Sequence, residues 1–96
     1  MELIEWSIGR IADFPRNERF TVGQRIENTE LDGVELITRA RFTRDPEERV
    51  RHLEELNIKL ELLSVLWRIA QGKQWISVKQ CLHATRLIDD IGRMNG

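Results

Sequence analysis

The side chains able to do nucleophilic, acid–base or metal chemistry are few in this chain, and their spacing does not suit any of it. There are two histidines, His52 and His83, and one cysteine, Cys81. Neither histidine stands in a Glu-x-x-His motif or has a second histidine one turn away, so neither a di-iron bundle site nor a zinc-binding helix is encoded. Cys81 shares a helical stripe with Val78, Leu82, Thr85 and Ile88, which reads as inward-facing, and a thiol there packs as a small apolar group. Gly72-Lys73 lacks the upstream glycine of a phosphate loop. Asp89-Asp90 offers two carboxylates to a cation, but Arg86 and Arg93 lie one turn away and ordinary ion pairing is the simpler reading. These residues predict a protein with no catalytic site, no metal, no cofactor and no small-molecule substrate.

The basic residues are more informative. Lys79, Arg86 and Arg93 are spaced by seven and so line one ridge of a helix, where they can meet the phosphates of an RNA backbone. Arg39, Arg41, Arg44, Arg49 and Arg51 surround one predicted turn, and Arg10, Arg16, Arg19 and Arg25 another. Carboxylates such as Glu47, Glu48, Glu54 and Glu55 dilute these groups, so a solvated network of surface ion pairs competes with the nucleic-acid reading. With a net charge of −1 and a pI near 6.1 there is no global positive field, and any RNA contact must use local patches.

Four helices are predicted to position these groups. Ninety-six residues with 41% hydrophobic and 32% charged side chains fit one globular helical domain over residues 1–96. No membrane span or apolar signal core is visible, and with a lone cysteine this predicts a cytoplasmic, reducing location. In the first helix Leu3, Ile4, Ile8 and Ile11 recur at helical spacing before Pro15. Thr21 and Gln24 read as a capping box opening a second helix, whose stripe is Val22, Ile26, Thr29, Gly33, Leu36, Ile37 and Ala40. Asp45, Pro46 and two following glutamates open the third helix, and Gly72 is its expected left-handed stop. Ser77 and Gln80 form a capping box for the fourth, with Ile76 packing on Cys81 as a staple. Short connections predict an all-α, antiparallel, up-down-up-down four-helix bundle.

The third helix carries two apolar faces. Leu53, Leu56, Leu60, Leu63, Trp67 and Ala70 follow the heptad seam of a bundle core. At about 100° per residue, Ile58, Leu62, Val65 and Ile69 form a second stripe on nearly the opposite side. Either this helix is central and covered on both sides, or the second stripe is an interface between copies. Leu31, Val34 and Thr38 on the second helix supply a complementary surface, and such a heterologous contact generates a ring if the rotation closes.

The segment Phe14-Pro15-Arg16-Asn17-Glu18-Arg19-Phe20-Thr21-Val22-Gly23-Gln24-Arg25-Ile26-Glu27 resembles the signature of the accessory variability determinant family. Members are four-helix-bundle proteins of diversity-generating retroelements, related to bundle proteins encoded in intervening sequences of bacterial 23S rRNA genes. Leu56-Asn57-Ile58-Lys59-Leu60-Glu61, Ile76-Ser77-Val78-Lys79-Gln80 and Ile91-Gly92-Arg93-Met94 agree with the same pattern. The resemblance implies a homo-oligomer, a pentameric ring, that binds a reverse transcriptase and its structured template RNA during mutagenic retrohoming and catalyses nothing itself. The matching basic positions are Arg16, Arg19, Arg25, Lys79 and Arg93. The alternative is a structural homo-oligomer of the intervening-sequence type whose partner is another protein or unknown.

Overall fold

The computed structural model describes residues 1–95, and among these it contains four α-helices and no strand. They are α1 (Glu2–Ile11), α2 (Val22–Phe42), α3 (Pro46–Gly72) and α4 (Val78–Asn95), with a short 3-10 helix at Arg16–Arg19. α2 packs on α3, α3 on α4, and α1 against both α2 and α4, which closes an all-α bundle of four antiparallel neighbours. At one end the rings of Phe14 and Trp75 lie 5.2 Å apart, joining the α1–α2 turn to the α3–α4 turn. At the other, Met94 and Asn95 line a cleft with Ala40 and Arg49. The long dimension of 44 Å follows from α3, whose 27 residues span about 40 Å at about 1.5 Å each. With only 10 residues, α1 covers a fraction of that length.

The seam expected on α3 is the core: Leu56, Leu60, Leu63, Trp67 and Ala70 are buried, with Leu53 packed against them. Ile26, Leu36 and Ala40 of α2 meet it, and Thr29 and Gly33 are buried on the same stripe. Gly23 allows the α1–α2 crossing, because a Cβ there would lie 2.7 Å from Ile11 Cγ2 and 3.3 Å from the Glu18 carbonyl. Two start signals act as the residues imply. The Asp45 carboxylate accepts from the Glu47 N–H at 3.1 Å, and Ser77 and Gln80 exchange side-chain to backbone bonds of 3.0 and 2.9 Å. Ile76 and Cys81 are both buried in the core beside that cap.

Four local expectations are corrected. Thr21 precedes α2 but makes no capping bond; coming straight off the 3-10 helix, its hydroxyl donates back to Glu18 Oε2 at 2.7 Å. On α1 the buried positions are Leu3, Ser7 and Ile11, and Ile8 is 57% exposed, because the sector containing Ser7 is the one that meets Glu30 of α2. On α4 the inward positions are Cys81, Ala84, Ile88 and Ile91. Val78 lies in the first turn, beyond the core that Ile76 closes, and Leu82 is rotated about 100° from Cys81, so both are exposed. Thr85 is half-buried, its hydroxyl donating to the Cys81 carbonyl at 3.0 Å.

The stop of α3 is also displaced. Gly72 has no positive φ; the left-handed residue is Gln74 at φ 64°. The Gln74 N–H bonds the Gln71 carbonyl and the Trp75 N–H bonds the Ala70 carbonyl, each at 2.9 Å, which is a Schellman motif with glutamine at its left-handed position. The extra residues bring Trp75 onto Phe14. A side chain in this conformation costs about 1 kcal/mol relative to glycine, so Gln74→Gly is expected to stabilise the fold by about that amount. In thermal denaturation this reads as a midpoint raised by roughly 4–8 °C, and a lowered midpoint would show that the Gln74 side chain contributes more than its strain.

Candidate functional site

The surface residues singled out from the sequence fall on two sides of the bundle. Since α1 and α4 adjoin one another and α2 adjoins α3, the α2–α3 wall lies across the core from the α1–α4 wall. On the α2–α3 wall Ile58 is 68% exposed, Val65, Ile69 and Leu31 are also exposed, and Leu62 and Val34 are half-buried. The sequence neighbours of Ile58 and Leu31, Lys59 and Asp32, form an ion pair of 3.3 Å across the two helices. Helix α3 is therefore not covered on both sides within one copy of the chain. Branched side chains of this kind gain about 1.5–3 kcal/mol each when fully buried, and a contiguous exposed patch of them is the usual mark of a protein contact.

The cations divide by what they already hold. The Arg19 Nε–H donates to the Phe14 carbonyl at 3.1 Å and fastens the α1–α2 turn. Arg93 pairs with Asp90. Arg49 donates to the Ala40 and Thr43 carbonyls at 3.1 and 2.7 Å, so it satisfies the negative C-terminal end of α2, a structural task that its sequence neighbourhood did not reveal. Arg16, Arg25, Arg41, Arg44, Lys79 and Arg86 are exposed and form no ion pair among the described residues. The Phe14–Trp75 contact brings Arg16, Arg19, Arg25 and Lys79 to one end of the bundle, and Arg41 and Arg44 lie at the other. Arg86 stands midway along α4, and of the ridge of three cations Lys79 and Arg86 are unpaired while Arg93 is paired with Asp90.

Two residues that the sequence did not mark for an RNA contact join that ridge. Trp6 of α1 and His83 of α4 have ring centroids 5.3 Å apart at an interplanar angle of 59°. The signal was present in part, because His83 lies four residues after Lys79 and three before Arg86 and so shares their face. Trp6 belongs to another helix, and no spacing rule connects the two.

One titratable group is buried at the α1–α2 contact. Glu30 is 3% exposed, its Oε2 accepts the Ser7 hydroxyl at 2.6 Å, and its Oε1 has no partner. Burial raises its pKa from 4.5 to about 7, opposed by the Ser7 hydrogen bond and reinforced by the charge of Glu27. No group of three or more His, Cys, Asp or Glu that could hold a metal ion occurs among the described residues. His52 lies 3.7 Å from Glu48, and Cys81 is buried. No helix among the described residues is long and apolar enough to cross a membrane.

Comparison with known proteins agrees with this architecture at the level of family. Neither the curated proteins nor the solved structures yield a match. The family model described as bAvd-like matches residues 1–96. A bundle of four helices matched over its whole length, signature segment and α4 motifs included, belongs to the bAvd-like family.

Proposed function

We propose that this chain is a non-catalytic accessory protein of a diversity-generating retroelement, an oligomeric scaffold that binds the reverse transcriptase and its template RNA for mutagenic retrohoming. The observation that carries the reading is the division of the surface: an exposed apolar α2–α3 wall suited to another copy of the chain, and unpaired cations elsewhere. Family membership and the resemblance of the Phe14–Glu27 segment support the same assignment. Ile58, Leu62, Val65 and Ile69 of one copy meet Leu31 and Val34 of the next and join copies into a ring, with five copies as the favoured number. Repeating Arg16, Arg25, Arg41, Arg44, Lys79 and Arg86 around the ring turns weak local patches into a multivalent surface, which a slightly acidic monomer requires.

A second reading, a structural homo-oligomer of the 23S rRNA intervening-sequence type, is favoured by the fact that several arginines are already engaged, among them Arg19, Arg49 and Arg93. Co-expression separates the two. A tagged chain expressed with the reverse transcriptase of its own element and the template RNA is expected to retain both at low salt and to release the RNA as salt rises, because phosphate contacts release counterions. A chain that assembles but retains neither polymerase nor RNA would transfer the assignment to the second reading.

A further inference from the structure

The groove between α1 and α4 brings aromatic and basic side chains together. It is an open groove of about 680 Å³, within the range of about 300–1,000 Å³ usual for ligand sites. Trp6 and His83 form its aromatic side, Lys79 and Arg86 its cationic side, and Gln80 and Leu82 complete the wall. No carboxylate lines it. The groove on the other side of α4, also about 680 Å³, shares Arg86 but contains Glu61, Asp89 and Asp90, the last already paired with Arg93. An anionic ligand is therefore favoured by the α1–α4 groove and opposed by its neighbour.

The aromatic side is held in place from beneath. Trp6 is half-buried, and its ring centroid lies 5.0 Å from that of the fully buried Trp67, which in turn meets Phe14 at 5.9 Å. The indole is thus braced by the core, and the exposed imidazole of His83 leans on it. A braced π-surface between two cations without carboxylate partners has the components that recognise an unpaired nucleotide: a face for the base and charges for the flanking phosphates. A base inside a duplex is already stacked and cannot use that face.

We propose that this groove receives an unpaired nucleotide of a single-stranded RNA segment, its base against Trp6 and His83 and its phosphates on Lys79 and Arg86. The proposal rests on the RNA-binding reading above and assigns it a site. The site lies across the bundle from the α2–α3 wall.

The test uses the full chain, a short unstructured RNA strand of mixed sequence, and the same sequence as a blunt duplex. The wild type is expected to bind the strand more tightly than the duplex. Because His83 is exposed, His83→Ala leaves the core intact, and it is expected to lower affinity for the strand by about tenfold while leaving duplex affinity within about twofold. His83→Phe restores strand binding by keeping a stacking face. In proton NMR the His83 ring resonances are expected to move on adding the strand, with those of His52, beside Glu48 in the first turn of α3, unmoved. Strand affinity unchanged in His83→Ala, with Lys79→Glu and Arg86→Glu weakening strand and duplex alike, would overturn the stacking site and leave RNA binding intact. A wild type that binds neither form overturns both.

Discussion

Replacing Glu30 by glutamine is expected to raise the thermal midpoint by about 10 °C or more near pH 8 and to change it little near pH 4. The reason is the buried carboxyl of α2, whose pKa rises from 4.5 to about 7 because folding removes it from water. The folded state therefore holds this proton more tightly than the unfolded chain. Below 4.5 both states are protonated and the group has no effect on stability. Between 4.5 and about 7 the unfolded chain ionises first, so stability falls as pH rises. Above that window both states are ionised and the loss is constant, of order 3 kcal/mol from a shift of this size at about 1.4 kcal/mol per unit. Glutamine keeps an oxygen for the Ser7 hydroxyl, which now donates to Glu30 at 2.6 Å, and carries no charge to desolvate. Melting curves of both proteins across the pH range provide the check. A difference between them that does not vary with pH would mean that Glu30 does not titrate in this window.

The second large effect concerns assembly. Ile58→Glu is expected to reduce the proposed oligomer to the mass of a single chain in light scattering, with the helical circular dichroism preserved. Ile58 is the most exposed of the four residues on the second α3 stripe, so the substitution leaves the core untouched. Leu62 is half-buried and less suitable, because a change there also disturbs the bundle itself. Burying a branched side chain contributes about 1.5–3 kcal/mol, and an unpaired carboxylate placed at the same contact adds a desolvation cost of at least similar size. In the proposed ring each link contains the change, so loss of several kcal/mol per contact shifts the population by orders of magnitude. A wild type that is already monomeric at working concentration would refute the interface. An oligomer of unchanged mass in Ile58→Glu would show that copies meet elsewhere.

The two effects lie on opposite sides of what could be read from the amino-acid order. The α3 stripes were legible because periodicity within one long helix is a local property: Leu56, Leu60, Leu63 and Trp67 share a face whatever surrounds them, and Ile58 and Val65 must point away. The Asp45 cap and the Ser77–Gln80 box were legible for the same reason, since a cap and its N–H lie within three residues. The family resemblance was carried by segments of this kind.

Glu30 was not legible. It lies one residue from Thr29 on a stripe of otherwise small and apolar positions, and only the rotation of α1, which turns Ser7 inward and Ile8 outward, buries it. The same holds for the stop at Gln74, which depends on where Trp75 meets Phe14, and for Arg49, whose target carbonyls belong to another helix. The meeting of Trp6 with His83 depends on the axial offset between α1 and α4. Residue order determined the helices, most of their ends and the faces of the long ones, because those are settled within a few turns of one chain segment. Rotation and sliding of one helix against another are settled by packing between segments distant in sequence, and that packing alone decided which polar groups are buried and which aromatic and basic residues share a groove.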